Sequence, residues 1–157
     1  MIMKKRIAIM LVACTMVLSM VGCTTTKTVT VTDENGNTTT TETVNGQETT
    51  YYEKVPMLIA NELGGDVAEV YMRLSDDEEW GDNFVPEGEL LPDDRTLEGI
   101  TLTYSEGDTM DVLLYDENGE DLEIDDIDLS PAEGKAFALV LGYDEDEEAY
   151  FAYVEQQ

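Results

Sequence analysis

The chain has 157 residues, with 36 acidic and 8 basic side chains, two cysteines, no histidine and a formal net charge of −28. This length fits one ordinary domain. Without imidazole, the chain lacks the usual base of serine and cysteine nucleophile systems and a common ligand of zinc and haem. The strong negative field repels nucleic acid, so we expect no nucleic-acid binding.

The N-terminus has the three parts of an export signal. Lys4, Lys5 and Arg6 are followed by an apolar run over residues 7–20 and then by small residues before a cysteine. The run is shorter than the roughly 20 apolar residues that a membrane span needs. We therefore expect residues 1–22 to form a signal helix that is removed on export. A plain cleaved signal or an anchor helix is the alternative.

The junction Met20-Val21-Gly22-Cys23 resembles the lipobox of bacterial lipoproteins, with Met20 in place of the usual leucine. The resemblance implies a lipoprotein signal peptide over residues 1–22, cleavage before Cys23, and acylation of Cys23 by lipid such as palmitate. Two or three acyl chains hold a protein on a membrane, where one chain binds only marginally. We expect a cell-envelope protein anchored to the extracytoplasmic face of the cell membrane through Cys23.

Residues 23–50 form a threonine-rich linker. From residue 24 to residue 50, 13 of 27 residues are Thr, and the only aliphatic side chains are Val29, Val31 and Val44. So little apolar surface does not offset the entropy lost on ordering, which favours a disordered tether. The alternative is a strand-turn-strand meander with turns at 33–37 and at Asn45-Gly46. We favour the tether, because an isolated ribbon without a hydrophobic face is marginal in water.

Residues 51–157 form the folded domain, in which apolar and polar residues alternate at the period of half-buried strands. The pattern predicts an all-β fold, an antiparallel β-sandwich of about seven strands, preceded by the signal helix and the disordered tether. The expected strands are residues 55–60, 68–74, 100–104, 110–116, 121–129, 136–141 and 149–154. The apolar phase changes between Ile124 and Ile127, which predicts a β-bulge near Asp125-Asp126.

Residues 55–130 resemble a group of small β-sandwich domains from bacterial surface lipoproteins and exported proteins. The resemblance rests on an ordered set of short pieces that includes a Trp-Gly-Asp loop and an Asp-Glu-Asn-Gly turn. The matching positions are Asn61, Gly64, Tyr71, Ser75, Trp80, Gly81, Asp82, Leu90, Leu91, Asp111, Asp116, Gly119, Ile127 and Leu129. The group has no established activity, so the resemblance implies a fold and a compartment but no reaction.

Acidic clusters lie at residues 76–82, 125–128 and 144–148. Crowded carboxylates on loops suit Ca²⁺, which takes six to eight oxygen ligands. The candidate metal ligands are Asp76, Asp77, Glu79, Asp82, Asp144 and Asp146. A solvated acidic surface that keeps the protein soluble is the simpler interpretation, and weak Ca²⁺ binding is the alternative.

Trp80 and Asp82 are the candidate binding residues. Trp80 either plugs the core and pins its loop over the sandwich, or forms an exposed platform for a sugar or a partner protein. We favour the plug, because tryptophan is highly buried on average.

The sequence favours a non-catalytic binding or interaction module that presents an acidic surface to a cationic protein, an envelope component or Ca²⁺. The alternative is a small carboxylate-based hydrolase acting on envelope glycans, since a pair of carboxylates can cleave a glycosidic bond. We assign no catalytic residue, because a domain of 107 residues with one Trp has little room for both a core and a substrate cleft.

Overall fold

The computed structural model describes the backbone of residues 13–21, 24–33 and 36–157, and the side chains from residue 26 onward within those ranges. The described part is all-β, with one short 3₁₀ turn at Ser130–Ala132. Its strands are β1 (Ala13–Val21), β2 (Thr24–Thr32), β3 (Thr38–Val44), β4 (Gln47–Glu62), β5 (Val67–Leu74), β6 (Arg95–Ser105), β7 (Thr109–Asp116), β8 (Asp121–Asp128), β9 (Phe137–Asp144) and β10 (Ala149–Gln156).

Strands β4 to β10 form the predicted sandwich of seven strands. The smaller sheet has the order β5-β7-β8, and the larger sheet has the order β1-β2-β3-β4-β9-β10 with β6 also paired to β4. The β4–β9 pairing is parallel, and the other pairings are antiparallel. All seven strands expected from the alternation are present. β4 begins eight residues earlier than expected and β6 five residues earlier, and the other ends lie within three residues of the expected ones.

The core lies between the two sheets and is filled by the inward side chains of both. Apolar residues of the strands and of the loop after Asp128 are its most deeply buried members: Val55, Ile59, Val70, Met110, Val112, Leu129, Phe137, Leu139 and Leu141. β9 is buried along residues 137–142 because it lies inside the larger sheet, between β4 and β10.

The predicted bulge is confirmed on β8. In the β7–β8 ladder Met110 pairs with Ile127 and Val112 pairs with Ile124, so Asp125 and Asp126 together oppose Asp111. The extra residue restores the inward direction of Ile127 after the change of phase.

The threonine-rich segment is not the disordered tether that we favoured. It forms β2 and β3, and β3 pairs with β4 from Thr38↔Glu53 to Val44↔Gln47. The marginal stability of an isolated ribbon does not apply here, because β4 is fixed in the sandwich and offers a preformed edge to β3. Threonine hydroxyls pair across β2 and β3, with Oγ1–Oγ1 distances of 3.2 Å for Thr30–Thr40 and for Thr32–Thr38.

The predicted signal helix is also wrong where the structure describes it. Residues 13–21 form β1, which pairs with β2 from Ala13↔Thr32 to Val21↔Thr24. An apolar run without a polar stripe does not distinguish a helix from a strand, and here the free edge of β2 supplies backbone partners. Residues 1–12 lie outside the described part. No helix in the described ranges is long and apolar enough to cross a membrane.

β4 joins the threonine-rich ribbon to the sandwich. Along one edge it pairs first with β3 over residues 47–53 and then with β9 over residues 57–62, while β6 pairs with its other edge. We call β2, β3 and residues 47–53 the stem. A bulge at Lys54 (φ 56°) marks its junction with the sandwich. Residues 26 and 44 are paired at the free end of the stem, and residues 38 and 53 at its junction.

An aromatic cluster packs the junction. The ring of Tyr52 lies 5.1 Å from the ring of Tyr104, and Tyr104 lies 6.5 Å from Phe137. The backbone N–H of Gly134 donates to the Tyr104 hydroxyl at 2.9 Å. Gly134 has a φ of +71°, and a Cβ atom there would overlap the ring of Tyr52. The close approach of Tyr52 to this backbone therefore requires glycine.

We expect Gly134→Ala to lower the free energy of unfolding by about 2 to 4 kcal/mol, from a left-handed alanine and from overpacking against Tyr52. Gly119→Ala is the control, since its φ is +80° but no atom lies within 4 Å of the new Cβ. The Gly119→Ala control should lower the free energy of unfolding only by the cost of a left-handed alanine, about 1 kcal/mol. Urea unfolding of the full chain in detergent measures both. Equal losses would show that the Tyr52 contact does not hold the junction.

Candidate binding site at the acidic end

Three turns meet at the end of the sandwich that faces away from the stem. β4 and β9 run in parallel, and their pairing ends at Glu62↔Gly142. β5 begins at this end, where Val67 pairs with Asp116 of β7. The turns after β4, after β7 and after β9 are therefore neighbours, and we call residues 62–66, 116–121 and 144–148 the acidic end. These 16 residues hold 11 carboxylates and no Lys or Arg.

A buried amide fixes the first of these turns. The Asn61 side chain donates to the carbonyls of Gly65 (2.9 Å) and Leu91 (3.0 Å) and accepts from the N–H of Leu63 (3.2 Å). The Gly64 N–H donates to the Asp93 carboxylate at 2.9 Å. These bonds tie the turn to the long loop before β6 and hold Asp66 at the acidic end.

The second turn is built on Asp116. One carboxylate oxygen accepts the backbone N–H groups of Asn118 and Glu120, both at 2.8 Å, and the other accepts the Asn118 side chain at 3.0 Å. The bond from the Asn118 side chain and the bond from the Glu120 N–H hold the pKa of Asp116 below its ordinary value. These bonds favour the charged form of Asp116 and tie its carboxylate to the backbone of the turn.

A cleft of about 430 Å³ opens between the acidic end and the two sheets. Its floor is apolar, formed by Leu63, Val67, Leu114 and Leu122, and the rings of Tyr115 and Tyr150 also line it. Its rim carries four carboxylates, those of Asp66, Asp116, Glu120 and Asp121. An apolar floor under an acidic rim suits a cation carried on an aliphatic stem, as in the side chains of lysine and arginine.

The candidate metal ligands fall at opposite ends of the sandwich. Asp144 and Asp146 lie in the turn after β9, where an Asp144 oxygen accepts the N–H groups of Asp146 (2.8 Å) and Glu147 (3.1 Å). Asp76 and Asp77 follow the far end of β5 and line a second depression of about 300 Å³ with Asp108. Glu79 and Asp82 are exposed beyond it. These six residues therefore do not form one site.

Within the described residues, no three acidic side chains come together in an arrangement that would hold a metal ion. The Ca²⁺ hypothesis remains a prediction, with no support from this geometry. Cys23, the residue expected to carry the lipid, lies outside the described part.

Trp80 is not the core plug that we favoured. It is half-buried beside β5, where the Arg73 guanidinium lies 4.2 Å from the centre of its ring. The loop follows the edge of β5, with the Gly81 N–H donating to the Met72 carbonyl (3.1 Å) and the Phe84 N–H to the Val70 carbonyl (2.9 Å). This path directs Val85 into the core and leaves Trp80 over Arg73. Asp82 is exposed beside it.

Arg73 belongs to a network around the buried Asp111 that the sequence reasoning missed. Asp111 is 4% exposed and accepts Arg73 Nε (2.9 Å), Ser75 Oγ (2.6 Å) and the backbone N–H of Asp126 (3.1 Å). Burial alone disfavours the charged carboxyl, but these three donors together hold the pKa of Asp111 below its ordinary value. The signal for this contact was present, because a bulge at Asp125-Asp126 frees a backbone N–H opposite Asp111.

The other shifted carboxyls also favour the charged form. Hydrogen bonding to Ser130 lowers the pKa of Asp128, and the bond from Lys135 lowers the pKa of Glu133. The general acid of a glycosidase needs the opposite shift, a raised pKa.

No protein-family model, curated protein or solved structure matches the chain.

We expect Asp111→Asn to lower the free energy of unfolding by about 2 to 4 kcal/mol at pH 7, because Arg73 and the bulge N–H lose a charged acceptor. The folded pKa is lowered, so the carboxylate stabilises the fold above the unfolded pKa of about 3.9, and this stabilisation is lost as the pH falls through the folded pKa. The difference from the wild type should therefore shrink below about pH 4.

Denaturant unfolding at pH 7 and at pH 3 checks this expectation. Asp121→Asn is the control, since it removes the same charge from an exposed position. The control should be neutral or slightly stabilising, because it relieves repulsion at the acidic end. An Asp111→Asn penalty that is the same at both pH values would contradict a role for the charged carboxylate.

Proposed function

We propose that this protein is a lipid-anchored bacterial envelope protein whose β-sandwich acts as a non-catalytic binding module for cationic partners. The basic start, the short apolar run and the junction before Cys23 support the anchor. The resemblance that the short sequence pieces in residues 55–130 suggest to sandwich domains of surface lipoproteins would imply the same compartment. Cleavage before Cys23 would remove β1 and leave β2, which carries Lys27, at the edge of the stem.

The position of the acidic end relative to the stem carries the proposal. Thr24, the residue after Cys23, begins β2 at the free end of the stem, where Thr26 pairs with Val44. β4 begins at the same end of the stem, at Gln47, and continues past the bulge at Lys54 to Glu62 at the acidic end. Its 16 residues span about 50 Å along their path at about 3.3 Å a residue. A chain anchored at Cys23 therefore holds its acidic end on the side away from the membrane.

The net charge supports a cationic partner. Residues 51–157 contain 32 acidic and 4 basic side chains. Such a field attracts polycations from solution, and it repels anionic lipid headgroups and other copies of the chain. Tyr115, Tyr150 and the apolar floor of the cleft add aliphatic and cation–π contacts for a lysine or arginine side chain.

If the anchor is correct, intact-mass spectrometry of the protein purified from a bacterial membrane will show a chain that starts at Cys23 and carries acyl groups. Cys23→Ser should abolish the acylation and release the protein from the membrane fraction, while Cys14→Ser should change neither. A mature protein that begins elsewhere, or an unmodified Cys23, would refute the anchor.

The binding role predicts that hexalysine binds the full chain in detergent and that the affinity falls steeply with salt. Glu120→Gln with Asp121→Asn should weaken binding about three- to tenfold at low ionic strength, since two rim charges near the ligand are lost. Asp76→Asn with Asp77→Asn removes the same charge at the opposite end and should change the affinity less than about twofold.

Titration calorimetry at about 20 and 150 mM salt measures these affinities, a range over which surface electrostatics weaken markedly. An equal effect of the two double variants would mean that the acidic end is not the site. The absence of binding even at low salt would refute the proposed function.

A further inference from the structure

We propose that the outer edge of β10 is a docking site for an extended, basic segment of a partner protein, which adds to the larger sheet as a further strand. The inference rests on the proposed function, because it names how a cationic partner is held. The edge is adjacent to the cleft, with which it shares Tyr150, but it binds through a different chemistry, backbone pairing.

β10 is the last strand of the larger sheet. It pairs with β9 on one side, and on the other side the described residues provide no strand partner. The register with β9 is continuous over all eight residues, from Ala149↔Asp144 to Gln156↔Phe137. The open side of β10 is therefore a row of backbone donors and acceptors without a bulge, which is a template for another strand.

The other edges with described side chains are protected. β5 is covered by the loop that follows it, which bonds to Met72 and Val70 and forms a bridge from Leu91 to Val67. β8 carries five acidic side chains in eight residues and is bent by its bulge. β6 is interrupted by a bulge at Glu98-Gly99. These are the usual devices that prevent edge pairing.

β10 lies close to β8 and to the 3₁₀ turn, where the Gln156 side chain donates to the Pro131 carbonyl at 2.7 Å, but it carries none of the other devices. It contains no proline, no lysine and no bulge, and Glu155 is its one charged residue. Its side chains are apolar and exposed instead, with Tyr150 51%, Tyr153 45% and Phe151 39% accessible. Phe151 and Tyr153 stack on the outer face at 6.0 Å, and the Phe151 ring lies directly over Gly142 of β9. An open, regular edge with an aromatic face is a surface suited to a partner.

The negative charge around the edge of β10 favours a basic partner segment. The turn that leads into β10, residues 144–148, is acidic at every position, and Glu155 lies near its other end. A second copy of this chain would bring the same acidic turn and a like net charge to the contact. A strand with lysine or arginine at alternate positions is complementary in charge, and its cations can lie over the Phe151 and Tyr153 rings.

The test uses a synthetic seven-residue peptide, Lys-Val-Lys-Val-Lys-Val-Lys, with both ends blocked, and the full chain in detergent. Hydrogen exchange followed by mass spectrometry should show slower exchange of the amides of residues 149–156 when the peptide binds. The same peptide N-methylated at its three central residues keeps the charge but loses backbone donors, and should bind at least about tenfold more weakly.

Tyr153→Lys provides the matching change in the protein, because lysine on an exposed edge repels a basic strand and removes the aromatic contact. We expect it to weaken binding at least about tenfold. Thr101→Lys adds the same charge to an exposed position on β6, at the opposite edge, and should change the affinity by less than about threefold. Thermal unfolding of both variants verifies that they fold.

Equal binding of the N-methylated peptide, equal effects of the two lysine variants, or protection outside residues 149–156 would each overturn the inference. If hexalysine still binds in that case, the proposed function stands without it. A dimer in sedimentation that Tyr153→Lys abolishes would assign the edge to a second copy instead. Failure of both hexalysine and the peptide to bind would overturn both proposals.

Discussion

The arrangement depends on one strand, β4, which is shared between the stem and the sandwich. Its first part is the edge on which β3 and then β2 are built, and its second part lies inside the larger sheet between β6 and β9. The buried side chains of Val55, Met57 and Ile59 anchor that second part in the core. Because β4 is fixed there, the threonine-rich residues add to an existing edge rather than nucleate a sheet of their own. Hydrophobic burial in one half of a strand thus supports a segment that buries very little.

A second constraint is the excess of negative charge, which the fold accommodates by placement. Turn carboxylates accept backbone N–H groups, as Asp116, Asp144 and Asp108 do, so much of the charge also serves as turn chemistry. The one buried carboxylate in the described part, Asp111, is matched with Arg73, one of the four basic residues after residue 50. Arg73 in turn lies against Trp80. One of these four basic residues is thus placed at the buried carboxylate, while the other three, Lys54, Arg95 and Lys135, are exposed.

The sequence was informative where local pattern decides the structure. Alternation located the seven strands of the sandwich, and the change of phase between Ile124 and Ile127 located the bulge. The sequence was not informative where the structure of a segment depends on a strand that is distant along the chain. The order of the threonine-rich residues depends on the edge of β4, and an apolar run such as residues 13–21 suits a helix or a strand equally well until β2 is considered. Trp80 was misplaced for a similar reason, because the pairing of its loop with β5, and not its own hydrophobicity, sets the direction of its side chain.

The two candidate surfaces are adjacent, which follows from the chain path. The acidic turn at 144–148 leads directly into β10, and Tyr150 lies on that strand and also lines the cleft. Tyr143, directly opposite on β9, packs against Tyr150 with ring centres 4.9 Å apart. A basic segment paired along β10 would therefore pass the acidic turn at one end of the strand, where its cations meet the strongest field. Backbone pairing gives little selectivity for sequence by itself, so in this arrangement the acidic end supplies the selectivity and the open edge supplies the alignment.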